Sequence, residues 1–166
     1  MTPSWDLFII LFFVILTVYG LLLGRGRVFN ILINTYVGLV IATELGSIAF
    51  DYLSQAASIQ HSVSLSLFGA KVLVFASVIF ILTMKSELSG SNDDSSASSL
   101  YTAGYGFLAA GLILSSILSF MTAGDRSNMF ASSSLASQIY AYHSFWLIGP
   151  IAFIIITSVL VRLIRK

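Results

Sequence analysis

The sequence predicts an all-α, polytopic integral membrane protein of about five transmembrane helices, four plus a C-terminal fifth, in a single domain over residues 1–166. Three observations predict it. The chain is 57% hydrophobic and only 9% charged, with a mean hydropathy of +0.96, whereas a soluble domain carries about 25% charged residues. The apolar residues come in runs of about 20, the length a helix needs to cross a hydrocarbon layer about 30 Å thick. The polar residues collect between those runs, in Ser-rich segments that cannot bury a core. A net charge of +1 supplies no field for nucleic acid. The absence of cysteine excludes disulfides, thiolate metal sites and cysteine nucleophiles.

The first span is expected over residues 6–23, with Trp5 at the interface where aromatic residues collect. Residues 1–5 hold no Lys or Arg and no clean small-residue cleavage site follows, so the run reads as a retained span and not as a secretory signal. Gly24, Arg25, Gly26 and Arg27 form a basic turn that fits only a tight hairpin, with anionic lipid headgroups as its expected ligand. The second span, residues 28–50, carries Asn30, Asn34, Gly38, Ala42 and Gly46 at every fourth position, one slowly drifting stripe on a helix. Small residues on such a stripe admit a second helix closely, and the amides can bond across the contact. Glu44 lies beside the stripe, about 9 Å along the axis from Phe50.

Residues 53–66 read as a loop or a short interfacial helix. The third span is expected over 67–84, with Lys71 near its start. Residues 86–99 form a flexible Ser-rich linker on the cytoplasmic side. The fourth span, 100–121, presents Gly104, Gly111 and Ser115 as a second small-residue face, the expected partner of Gly38, Ala42 and Gly46. Residues 122–138 read as a Ser-rich loop that can lie on the membrane surface. The fifth span, 140–161, is interrupted by Pro150, which leaves open a full crossing or a re-entrant segment.

With five crossings, Arg25, Arg27, Lys85, Arg162, Arg165 and Lys166 fall on one side, and Lys71 and Arg126 on the other. That asymmetry predicts a multi-pass protein of the cell membrane with an external N-terminus and a cytoplasmic C-terminus. The sharpest chemical candidates are Glu44 and Lys71, both in the external half at similar depth. A buried ion pair would satisfy both charges. It reads either as a device that sets helix register or as part of a proton or ion relay. Asp6 sits favourably at the positive end of the first helix. His61 and His143 lack the neighbouring ligands of a metal site. Nucleophile-elbow, zincin and Walker patterns are all missing, so neither an enzyme nor a cofactor is expected.

Several of these residues resemble the bacterial CvpA (colicin V production protein) family: Asp6 at the start of the first span, Gly20, Arg25 with Gly26 at the first turn, Gly104, Gly106 and Gly111 in the fourth span, and Ser134 with Leu135 after it. The resemblance covers about 135 residues through short motifs. The fifth span and the Ser-rich linker depart from the family pattern. It implies a small inner-membrane protein of envelope maintenance or secretion without catalytic chemistry. The expected function is therefore helix packing with partners: the lipid bilayer, other membrane proteins or a second copy. The alternative is a subunit of a small transporter or channel using Glu44 and Lys71 with Asn30 and Asn34.

Overall fold

Antiparallel helix registers set the architecture of the computed structural model, which describes residues 4–57, 66–88 and 99–164. Among these residues there are seven α-helices and no strand: α1 (Trp5–Leu23), α2 (Arg25–Ala57), α3 (Leu67–Leu88), α4 (Ser99–Phe120), α5 (Ala123–Ser132), α6 (Ser134–Ala141) and α7 (His143–Ile164). Four of them, α1 to α4, are each long and apolar enough to cross a membrane, and α6 with α7, bent by 62°, makes a fifth candidate.

Ser4 starts α1 by accepting the Leu7 N–H at 3.3 Å. The expected four-residue turn shrinks to Gly24 alone, whose φ of +85° only glycine adopts readily, and Arg25 already opens α2. Nothing breaks α2 for 33 residues, about 50 Å at 1.5 Å per residue. Residues 53–57, placed in a loop or surface helix by the sequence, simply continue it. The rest of that segment, His61 included, and residues 89–98 of the predicted linker lie outside the described residues; residues 86–88 end α3 and Ser99 begins α4.

The registers follow from named contacts. Asn34 of α2 donates to Thr83 of α3 at 3.2 Å, Gly38 lies against Phe75 and Ile79, and Gly46 against Lys71. Each step up α2 is matched by an equal step down α3. Gly20 of α1 lies against Thr102 and Gly106 of α4. A Cβ on Gly106 would stand 2.9 Å from the Leu16 carbonyl oxygen, so the α1 and α4 backbones touch there and only glycine fits. Along α4 and α7, Gly104 meets Phe153, Leu108 meets Gly149, Gly111 meets Trp146, and Tyr105 shares a 2.5 Å hydrogen bond with Thr157.

α4 is thereby surrounded by α1, α2 and α7. Its Tyr105, Leu108, Ala109, Leu114 and Leu118 join Ile9, Val28, Leu32, Ala136, Ile139 and Trp146 in the main core. A smaller core of Ala42, Phe75 and Phe120 ties α3 to α2 and α4. The alternation puts the start of α1 and the end of α7 at opposite ends of the bundle. We call these the N-terminal end, which also holds α5 and α6, and the C-terminal end.

Pro150 lies inside α7, and the helix continues through it. Its ring disturbs the hydrogen-bond ladder of the preceding turn, where Tyr36 of α2 donates its hydroxyl to the Leu147 carbonyl at 2.5 Å. The carbonyl that loses its donor to Pro150 is that of Trp146, and the Tyr36 bond ties α2 to the adjacent Leu147.

Residues 122–138, expected as a surface loop, are mostly helical. Thr122 caps α5 through the Asp125 N–H at 3.3 Å, and Ser133 caps α6 through the Ala136 N–H at 3.1 Å. α5 buries no residue, whereas α6 buries Ala136 and Ile139.

Candidate functional site

The stripe read on α2 does pack, but on α3 and not on the glycines of α4. Asn30 is half-buried, Asn34, Gly38 and Gly46 meet α3, and Ala42 is enclosed with Phe75 and Phe120. Gly104 and Gly111 are filled from α7 instead. A Cβ on Gly111 would fall inside the Trp146 ring, and one on Gly104 would stand 2.8 Å from the Phe153 ring. Ser115 is buried and returns its hydroxyl to the Leu112 carbonyl at 3.2 Å. A one-residue turn between α1 and α2 leaves the wide packing partner of α2 to be the next helix, and the fourth helix then closes on α1.

Glu44 and Lys71 are not brought together as an ion pair among the described residues. Lys71 is half-buried, with its Cγ 2.5 Å from where a Cβ on Gly46 would stand. Glu44 is exposed. It lies two residues from both Ala42 and Gly46, about 200° round the helix at 3.6 residues per turn. The face that meets α3 and Lys71 therefore turns Glu44 outward. The α2–α3 register sets Glu44 level with Leu73, six residues or about 9 Å inside the Leu67 end of α3. Around it on the outer face, Val40, Thr43, Ser47, Ile48 and Asp51 are exposed. Thr43 returns its hydroxyl to the carbonyls of Leu39 and Val40 at 3.0 and 2.8 Å, so its polarity is spent locally. Glu44 thus lies on the outer face, whereas the Lys71 stem lies against Gly46.

A second polar assembly caps the N-terminal end. Asp6, expected to serve the N-terminus of its own helix, instead reaches across to α6. Its Oδ1 accepts the Ser133 hydroxyl at 2.5 Å and the Leu135 N–H at 3.3 Å. This carboxylate at the positive end of α6 joins residues 127 positions apart. Arg126 donates to the Tyr140 hydroxyl and, at 2.7 Å, to the Met121 carbonyl, with its guanidinium carbon 4.3 Å from the Tyr140 ring centre. His143 stacks on Tyr140 with centroids 6.3 Å apart. Ser133 donates its hydroxyl to Asp6 and accepts the Ala136 N–H, so both bonds tie it to the α1–α6 contact. The assembly is suited to holding α1, α5, α6 and α7 in place. Sequence reading missed the cross-chain ties. Two signals were present: Ser133 directly before an apolar-periodic segment, and a proline that disturbs the turn before it.

Residues behind the CvpA resemblance meet in two places: Asp6 with Leu135, and Gly20 with Gly106. Gly26 stands in open space, and Arg25 is the first residue of α2. No family model matches the chain, and neither a curated protein nor a solved structure matches it. The resemblance rests on those residues alone.

Proposed function

We propose that this is a multi-pass membrane protein that works by lateral association with another membrane protein through the outer face of α2. One observation carries the reading: Glu44 is exposed, about 9 Å inside the apolar length of the α2–α3 pair, and forms no ion pair among the described residues. An ionisable group at such depth is costly in lipid and needs a partner, a proton or water. A neighbouring protein helix that supplies a hydrogen-bond donor or a cation meets that need. Val40 and Ile48 supply apolar contact on either side. Envelope maintenance or secretion, the setting that the CvpA resemblance implies, is where we place this association. The basic residues at the C-terminal end of the bundle, Arg27 and Lys85 among them, favour placing that end in the cytoplasm and the N-terminus outside.

Photocrosslinking in intact membranes tests the reading. A photoreactive residue at Val40 or Ser47 should give a defined protein adduct, and one at Ile151, on the exposed side of α7, should not. Glu44→Leu should remove the adduct without changing thermal unfolding of the purified chain. Equal labelling at Ser47 and Ile151, or an adduct indifferent to Glu44→Leu, would sink it.

A further inference from the structure

α3 packs along α2, and α1 packs along α4. Between α1 and α3 this leaves an apolar cleft of about 390 Å³, walled by Phe12 and Leu16 on one side and Phe75, Ala76, Phe80 and Thr83 on the other. It lies on the opposite side of the α2–α3 pair from the exposed Glu44 face and plays no part in the association proposed above. Its only lining hydroxyl, Thr83, is already engaged by Asn34 at 3.2 Å. A trapped water needs 2–4 polar partners, so water does not fit there.

The shape of the cleft selects among apolar occupants. It follows α3 from Val72 to Thr83, about 17 Å of helix at 1.5 Å per residue. A single extended alkyl chain has the length and the apolar character to lie along it. The cleft runs from near Lys85 to just past the middle of the ~30 Å hydrocarbon layer, the depth of one leaflet.

Charge identifies the head of that chain. Ile31 lines the cleft from α2, and Arg27 lies four residues before it, on the same helix face one turn nearer the C-terminal end. Lys85 is in the last turn of α3 at the same end, and the register sets it level with Leu32. Arg27 then stands about 7.5 Å further out, in the headgroup layer. Both side chains are exposed. Arg25 is two residues from Arg27, and Glu87, two residues after Lys85, is the single carboxylate in these two helix turns, which leaves the cations in excess.

We infer that the cleft between α1 and α3 is a site for one acyl chain of an anionic phospholipid whose phosphate is held by Arg27 and Lys85. Each cation near the headgroup layer contributes about a fivefold preference for an anionic lipid. The test uses the full chain, purified and delipidated in a non-ionic detergent. Phosphatidylglycerol or phosphatidylcholine with the same acyl chains is added, and retained lipid is counted by native mass spectrometry. One phosphatidylglycerol should be retained at about 25-fold lower concentration than phosphatidylcholine, and inorganic phosphate should not displace it. Arg27→Gln with Lys85→Gln, both exposed, should abolish the preference. Ala76→Phe, which fills the cleft from an exposed position, should abolish retention of either lipid. Equal retention of the two lipids, or retention unaffected by Ala76→Phe, would overturn the inference. So would cysteine crosslinking of Phe80→Cys to a second protein. If Ala76→Phe does not fold, the Arg27 and Lys85 variants decide the matter alone.

Discussion

α3 and α4 have the same length, 22 residues, and opposite surroundings. In α4, 67% of the membrane-length segment is buried, against 11% in α3 and in α1. α3 and α1 are nonetheless the more apolar helices. In a soluble protein the most apolar helix goes to the core. Here the most apolar helices are the outer ones, the arrangement expected of spans that face lipid, because lipid tails are as apolar as a leucine side chain and burial gains nothing from greasiness alone. The central position goes to the helix that packs most closely. α4 has glycine at 104, 106 and 111, alanine at 109 and 110, and serine at 115 and 116, so three helices can approach it.

The sharpest way to break this comparison is to add bulk to each helix in turn. Gly106→Leu must part the α1 and α4 backbones, and overpacking costs about 1–3 kcal/mol or more. We expect it to be the most damaging variant, seen as a large drop in the unfolding temperature in detergent, with Gly111→Leu close behind. Unfolding unchanged in both would show that α4 is not the packing centre. A smaller enlargement on the α2–α3 side should behave differently. Gly46→Ala puts a Cβ 2.5 Å from the Lys71 Cγ, which must shift, but replacing a mid-helix glycine by alanine gains about 1 kcal/mol of helix propensity, so the net loss should stay below about 0.5 kcal/mol.

Polar ties fall between these extremes. Asp6→Asn removes the charge from the bond to Ser133 and from the N-terminus of α6, and should cost about 1–2 kcal/mol. Faster hydrogen exchange confined to α6 would be its signature, and a loss spread over α2 and α3 would contradict the capping account. Tyr36→Phe leaves the Leu147 carbonyl without its outside donor and should cost about 1 kcal/mol. Thr157→Val, which cuts the bond from Tyr105, should cost about 0.6 kcal/mol, the average for hydrogen bonds between membrane helices. A double-mutant cycle of Tyr105→Phe with Thr157→Val separates that bond from simple loss of packing.

The number, order and approximate limits of the long helices were legible in the sequence, since each needs only a long apolar run between polar breaks. So was the existence of small-residue faces at 30–46 and 104–115. Their pairing was not legible, because a small residue states that something approaches and not what. Gly111 admits an indole 35 residues away and Gly46 a lysine stem 25 residues away, and nothing local distinguishes them. The facing of Glu44 was hidden for a related reason. A stripe of period four and a residue beside it drift round a 3.6-residue helix, so whether Glu44 looks at Lys71 or at lipid depends on which part of the stripe meets α3. α5 and α6 were lost in a Ser-rich composition that reads as loop, because their stability comes from caps and from docking: Ser133 on Ala136, Asp6 on Leu135, Ile139 in the core. The sequence alone determined that the chain is built of membrane-length helices, a property of single segments. Only the tertiary structure decided which helix is central, where Asp6 and Glu44 point and where a cleft remains, because those depend on contacts between residues up to 129 positions apart.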